Sequence, residues 1–139
     1  RSVAGQRKRA TRPLHVLLAE DNAINALLAQ AALTKAGHRV KSVTDGKAAV
    51  EMATKGTAKM GFDVVLMDLH MPVMDGLEAI AAIRAYEKNK ARKSMPIVVL
   101  TADGQETTRH TVLAQGATGY VTKPLDPDAL VRTVEDQVD

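Results

Sequence analysis

The stretch VVLMDLHMPVMDG, residues 64–76, decides the fold and raises the question of function. It is apolar up to Asp68, where a loop containing Pro72 begins. A short continuous apolar run bounded by turn residues predicts a strand that is buried on both faces. Asp68 therefore either starts a turn or is held by the strand at a reactive surface. Asp75 and Gly76 predict a turn and a helix cap, with the glycine chosen for its backbone freedom.

Short apolar runs and helical segments alternate along the rest of the chain. The predicted strands are 14–20, 38–43, 62–68, 95–101 and 118–123, and the predicted helices after them are 21–37, 45–56, 76–88, 105–116 and 125–138. Such alternation predicts an α/β fold with a doubly wound parallel sheet and right-handed crossovers. The strand at 38–43 is the most polar, so we expect it near a sheet edge.

Two helices differ in how their apolar residues are spaced. Ile24, Leu27, Leu28 and Ala31 recur at i, i+3, i+4 and i+7, so we expect these residues to face the core. The helix at 105–116 has a poor apolar stripe, which predicts that it docks weakly on the sheet.

Composition limits the class of protein. The chain has 139 residues, 45% hydrophobic and 25% charged, which fits one globular domain. It has no cysteine, so a disulfide scaffold, a thiolate metal site and a cysteine nucleophile are excluded. No apolar run approaches a membrane span, and no signal-peptide pattern opens the chain.

The net charge of +3 suggests a nucleic-acid partner, but its distribution argues against one. Residues 1–12 hold five basic side chains and no acidic one, whereas the remainder holds 14 basic and 16 acidic side chains. The basic segment also lacks the aromatic residues of a base-stacking surface. We therefore expect residues 1–13 to be a linker or tail and residues 14–139 to be the folded domain, without direct nucleic-acid binding.

Polar side chains follow the strongly apolar strands where each one ends. Glu20 and Asp21 close the first strand, Asp68 the third, Thr101 the fourth, and Lys123 follows the fifth. The carboxyl ends of parallel strands meet at one edge of the sheet, where ligands bind. Singly, these residues are more often helix caps, strand ends or loop lysines. Their shared placement at the carboxyl ends of the strands favours a functional site.

Three neighbouring carboxylates repel one another unless a cation or protons relieve them. Hard oxygen ligands favour Mg²⁺, which commonly bridges to a phosphate. A carboxylate can also be a nucleophile that becomes an aspartyl phosphate, and Asp68 is the best candidate because it ends the central buried strand. Lys123 would then supply charge to the phosphoryl oxygens and Thr101 a hydrogen bond.

These residues, in this order, resemble the receiver domain of two-component response regulators. The resemblance rests on LLAEDNAIN (17–25), LMDLHMPVMDG (66–76), VVLTA (98–102) and GYVTKP (119–124) and covers Leu14 to Val138. It implies a flavodoxin-like (βα)5 fold with a five-stranded parallel sheet in the order 2-1-3-4-5.

The resemblance also implies roles for the site residues. Asp68 would accept the phosphoryl group, and the side chain of Lys123 would contact the phosphoryl oxygens. The peptide bond between Lys123 and Pro124 would be cis, which would aim the lysine. Thr101 would move towards the phosphoryl group while Tyr120 turns inward, which switches a signalling face made of the fourth helix, the fifth strand and the fifth helix. The Mg²⁺ ligands would be Glu20, Asp21, Asp68 and the backbone carbonyl of His70.

The implied partner is a histidine kinase or a histidine phosphotransfer domain, and the resemblance also leaves room for a weak homodimer. The EDNAIN opening (20–25), the polar insert EKNKARKSMP (87–96) and the basic leader are typical of receivers in hybrid sensor histidine kinases. The domain would be cytoplasmic and would touch no membrane itself, in a parent chain that can be membrane-anchored. It would catalyse only its own phosphorylation and dephosphorylation.

Three alternatives remain open. A free-standing single-domain regulator would carry the same site. An aspartate-nucleophile phosphatase of the haloacid-dehalogenase kind also uses a strand-end aspartate and Mg²⁺, but it has a second acid two residues later, where this chain has His70. An interaction domain that is never phosphorylated tends to lose its acidic residues, whereas Glu20, Asp21 and Asp68 are all present here.

Overall fold

A computed structural model describes residues 13–55 and 61–138. The predicted basic linker at 1–13 lies, except for Pro13, outside the described residues, so its prediction stays a prediction.

The predicted alternation of strands and helices is confirmed. The strands are β1 (His15–Ala19), β2 (Arg39–Val43), β3 (Val64–Asp68), β4 (Ile97–Thr101) and β5 (Gly119–Thr122). The helices are α1 (Ala23–Lys35), α2 (Gly46–Lys55), α3 (Gly76–Asn89), α4 (Glu106–Gln115) and α5 (Pro127–Asp136). All strand pairs are parallel, and the order β2-β1-β3-β4-β5 is the predicted one.

The core lies on both faces of the sheet. Every residue of β3 and β4 is buried, as their continuous apolar runs predict. One face packs against α2, α3 and α4, and the other packs against α1 and α5. The polar strand β2 is an edge strand with no fully buried residue, which confirms its predicted place.

The predicted inward face of α1 is wrong. Ile24 is 71% exposed and Leu27 66%, and Leu28 and Ala31 are exposed as well. The buried residues of α1 are instead Ala29 and Leu33. Both faces of this helix are apolar, so its periodicity cannot show which one is inside. Alanine allows the helix backbone to approach its neighbours closely, which leaves the larger side chains on the outer face.

The helix cap at Asp75 is confirmed, but the predicted reason for Gly76 is wrong. The Asp75 carboxylate accepts the backbone N–H of Glu78 at 2.9 Å, and the Glu78 carboxylate accepts the N–H of Asp75 at 3.1 Å. A Cβ atom on Gly76 would lie 2.4 Å from the carbonyl oxygen of Asp68. The glycine is therefore required because α3 begins against the backbone of Asp68, and left-handed geometry is not the cause.

Weak docking of α4 is confirmed, because Val112 is its only buried residue. None of the helices within the described ranges is long and apolar enough to cross a membrane.

A buried polar contact at the amino ends of β1 and β2 was not predicted. His38 is 5% exposed, and its Nδ1 accepts the backbone N–H of Leu14 at 3.0 Å. Its Nε2 therefore carries the proton and donates to a carboxylate oxygen of Glu135 at 2.8 Å. One imidazole thus joins the start of β1, the turn before β2 and the end of α5.

We expect His38→Ala to lower the free energy of unfolding by about 1–3 kcal/mol, because the buried N–H of Leu14 loses its acceptor. Urea unfolding followed by circular dichroism measures this change. His110→Ala is the control, since the His110 side chain is 75% exposed, and we expect a change within about 0.5 kcal/mol. Equal unfolding midpoints for the two variants would show that the buried contact contributes nothing.

Candidate functional site

The carboxyl edge of the sheet brings three acidic side chains together, as the sequence predicts. Glu20 directly follows β1, Asp21 comes next, and Asp68 ends β3. Carboxylate oxygens of all three lie within 4.8 Å of one another. Glu20 is 1% exposed and Asp68 3%, whereas Asp21 is exposed, so the cluster opens to solvent on the Asp21 side.

Lys123 extends from the end of β5 into this cluster. Its Nζ lies 3.0 Å from Oε1 of Glu20 and 3.3 Å from Oδ1 of Asp68. The peptide bond between Lys123 and Pro124 is cis, as the resemblance implies. Burial alone would lower the pKa of Lys123, but its hydrogen bond to Glu20 and the charges of Glu20 and Asp68 raise the pKa overall. The amine is therefore held as an ammonium ion.

The cluster still carries more negative charge than Lys123 can balance. Burial raises the pKa of Glu20, and the neighbouring carboxylate of Asp68 raises it further. Oε2 of Glu20 accepts the N–H of Asn22 at 3.1 Å. Oε1 is buried, and the ammonium of Lys123 at 3.0 Å is the only donor near it among the described residues. A buried carboxylate oxygen with an open lone pair beside two more carboxylates fits a hard divalent cation.

The backbone that follows Asp68 is held close to the carboxylate of Asp68. The N–H of His70 donates to Oδ1 of Asp68 at 3.3 Å, and the N–H of Leu69 donates to the carbonyl of Leu100 at 3.2 Å. The side chains of His70 and His110 are exposed, which agrees with solvated imidazoles. The role of the His70 carbonyl as a ligand stays a prediction.

Thr101 and Tyr120, the predicted switch pair, are linked through one loop residue. Thr101 is 1% exposed at the end of β4, and its Oγ1 accepts the backbone N–H of Asp103 at 3.0 Å. The hydroxyl of Tyr120 donates to the backbone carbonyl of the same Asp103. Asp103 was not predicted as a site residue. Its place three residues before α4 is a capping signal, but spacing alone does not show the contacts with Thr101 and Tyr120.

Comparison with known proteins gives the family. The profile described as "Response regulator receiver domain" matches residues 16–135. Among curated relatives, the sensor protein GacS of Pseudomonas syringae pv. syringae is 39% identical over 125 residues, which cover 90% of this chain and 13% of that protein. The first curated relatives are histidine kinases, and the chain spans only 5–14% of their length.

Two solved structures share the fold. The receiver domain of a sensor histidine kinase from Pseudomonas aeruginosa, with a magnesium ion coordinated in its active site cleft, is 34% identical, with a TM-score of 0.77 and coverage of 90% of this chain and 97% of that one. A co-crystal structure joins the Saccharomyces cerevisiae histidine phosphotransfer protein Ypd1 to the receiver domain of its response regulator Ssk1. It matches with a TM-score of 0.82 at 30% identity, and the match covers 92% of this chain and 89% of that one. The chain belongs to the response regulator receiver domain family.

Proposed function

We propose that this receiver accepts a phosphoryl group from a phosphohistidine onto Asp68 in a Mg²⁺-dependent reaction. The observation that carries the proposal is the buried carboxylate of Asp68, which lies 3.3 Å from the ammonium of Lys123 within a cluster of three acids. A buried carboxylate at a strand end is rigidly held and only partly hydrated. It is therefore suited to attack a phosphorus atom that is brought to the mouth of the cluster.

The transfer is a displacement at phosphorus. An oxygen of Asp68 forms a bond to the phosphorus atom while the bond from phosphorus to the donor imidazole nitrogen breaks, and the electron pair stays on that nitrogen. Glu20, Asp21, Asp68 and the carbonyl of His70 would hold Mg²⁺, which supplies positive charge to the phosphoryl oxygens. The Lys123 ammonium, already 3.3 Å from Asp68, would supply a second positive charge.

The signalling step uses Thr101 and Tyr120. The buried hydroxyl of Thr101 moves towards the phosphoryl oxygens, and the ring of Tyr120 follows it inward. Thr101 ends β4 and Tyr120 lies within the neighbouring strand β5, close to α4, which has only one buried residue. Weak packing makes α4 an element that a local change of charge can displace at low energetic cost.

The exposed face of α1 is the docking surface for the phosphohistidine donor. Ile24, Leu27 and Leu28 form an exposed apolar stripe on a helix that begins two residues after Asp21. Val73, 77% exposed, lies in the loop that follows Asp68. Exposed apolar side chains therefore lie on two segments that flank the acidic cluster. A protein that presents a histidine to Asp68 would cover them, and exposed apolar side chains grouped on a surface are typical of a protein contact.

The context is a hybrid histidine kinase. The support is that the curated relatives are histidine kinases of which this chain spans a small part. Residues 14–139 would form the receiver, residues 1–13 a basic linker, and the location would be cytoplasmic. A haloacid-dehalogenase type of phosphatase is disfavoured, because the position two residues after Asp68 holds the exposed imidazole of His70.

Incubation with acetyl phosphate and Mg²⁺, followed by intact mass spectrometry, tests the acceptor. We expect wild type to gain one phosphoryl group, and we expect none when the metal is chelated, because the acidic cluster then keeps its excess negative charge. Asp68→Asn should remain unlabelled, whereas Asp128→Asn, an exposed carboxylate on α5, should label like wild type. Equal labelling of Asp68→Asn and wild type would refute the assignment.

Phosphotransfer from a histidine phosphotransfer domain that labels wild type tests the docking surface. We expect Leu27→Gln to slow this transfer about tenfold, as expected for the loss of a buried apolar contact at an interface. Labelling by acetyl phosphate should not change, since Leu27 is outside the acidic cluster. Leu113→Gln, which alters an exposed leucine on α4, is the matched control. A transfer rate for Leu27→Gln equal to that of wild type would exclude α1 as the docking surface.

A further inference from the structure

Asp103 is exposed, yet all of its polar groups make contacts. Its N–H donates to Oγ1 of Thr101 at 3.0 Å, and its carbonyl accepts the hydroxyl of Tyr120. Its carboxylate accepts the N–H of Gln105 at 2.9 Å and the hydroxyl of Thr108 at 2.6 Å. The hydrogen bond from Thr108, followed by that from the backbone of Gln105, lowers the pKa of Asp103, so the residue is an anion.

The carboxylate of Asp103 holds the amino end of α4 through two residues. Gln105 is the N-cap residue, but its side chain makes no capping hydrogen bond. Asp103 accepts the backbone N–H of Gln105 itself and the side-chain hydroxyl of Thr108, the third residue of the helix. An anion near a helix N-terminus is favourable because it faces the unpaired N–H groups. Since α4 buries only Val112, these hydrogen bonds fix its first turn where packing does not.

The other end of α4 is held by a different set of contacts. The carbonyl of Gly116, the C-cap residue, accepts two hydrogen bonds from the guanidinium of Arg84, at 3.1 and 2.7 Å. Arg84 also donates to the carboxylate of Glu87 at 2.6 Å and to the carbonyl of Met95 at 2.7 Å. The carboxyl end of α4 is thereby joined to α3 and to the segment that enters β4.

There is space for the amino-terminal half of α4 to move. A cavity of about 250 Å³ lies between its first turns and the residues Leu69, His70 and Leu77. A helix that is held at its carboxyl end and borders a cavity at its amino end has room to tilt about the held end.

We propose that Asp103 is a positioning residue that couples the Thr101 hydroxyl to the first turn of α4, while Arg84 holds the carboxyl end of that helix. The inference rests on the proposed phosphorylation of Asp68. When Thr101 moves towards the phosphoryl group, the hydrogen bond to its hydroxyl displaces the backbone of Asp103. The carboxylate then displaces Gln105 and Thr108, and the signalling face changes shape.

Amide hydrogen exchange of α4, measured with and without Mg²⁺ and beryllofluoride, tests the coupling. Beryllofluoride stands in for the phosphoryl group, and fluorine NMR reports its uptake independently of α4. We expect wild type and Asp103→Ala to bind it equally. Binding should change the exchange of the first turn of α4 in wild type, and that change should be largely lost in Asp103→Ala. Asp103→Asn keeps an acceptor for Gln105 and should retain most of the change.

The outcomes separate the two proposals. If wild type binds no beryllofluoride, the proposed function fails. If wild type binds it and Asp103→Ala shows the same change in α4 exchange, the coupling is refuted. If Asp103 only stabilises the amino end of α4, exchange would speed up in both states of Asp103→Ala and their difference would stay intact, which also refutes the coupling. Asp126→Ala, which removes an exposed carboxylate that makes no capping bond before α5, should behave as wild type.

Discussion

Repulsion among the carboxylates of Glu20, Asp21 and Asp68 is the constraint on which the functional edge of this protein depends. Parallel strands bring their carboxyl ends to one edge, and two of these acids are almost fully buried there. Such an arrangement is unfavourable unless positive charge is supplied. Lys123 supplies part of it at 3.0 and 3.3 Å. The remaining imbalance, seen in the raised pKa of Glu20, is what a divalent cation would relieve.

The same edge of the sheet carries the segments that would respond to a change of charge at the acidic cluster. Thr101 ends the strand next to β3, and α4 follows it through a loop fixed by the contacts of Asp103. The sheet beneath is fully buried at β3 and β4 and offers little freedom. A helix with one buried residue is therefore where a small displacement is most easily accommodated. The central strands hold the site rigidly, whereas the weakly packed helix α4 is able to shift.

The sequence predicts much of this arrangement because the decisive signals are local. Apolar runs ending at Asp68 and Thr101 predict buried strands, the alternation with helices predicts that the strands are parallel, and the family resemblance implies their order. The inward prediction for the apolar stripe of α1 is wrong because both faces of that helix are apolar, so periodicity does not choose between Leu27 and Ala29. Contacts between residues distant in sequence could not be predicted. His38 meets Glu135 across 97 positions, and Arg84 meets Gly116 across 32. Asp103 lies only two residues from Thr101, but its link to Tyr120 exists only after β5 has paired with β4.

The identity of the reacting carboxylate is the central claim, because three acids lie within reach of one another. Treatment with acetyl phosphate and Mg²⁺ followed by borohydride reduces an aspartyl phosphate to homoserine, and peptide sequencing by mass spectrometry then locates it. The account predicts homoserine at position 68 and unchanged side chains at Glu20 and Asp21. Reduction at Asp21 with Asp68 unchanged would contradict it, since the exposed acid would then be the acceptor and the buried strand end would not.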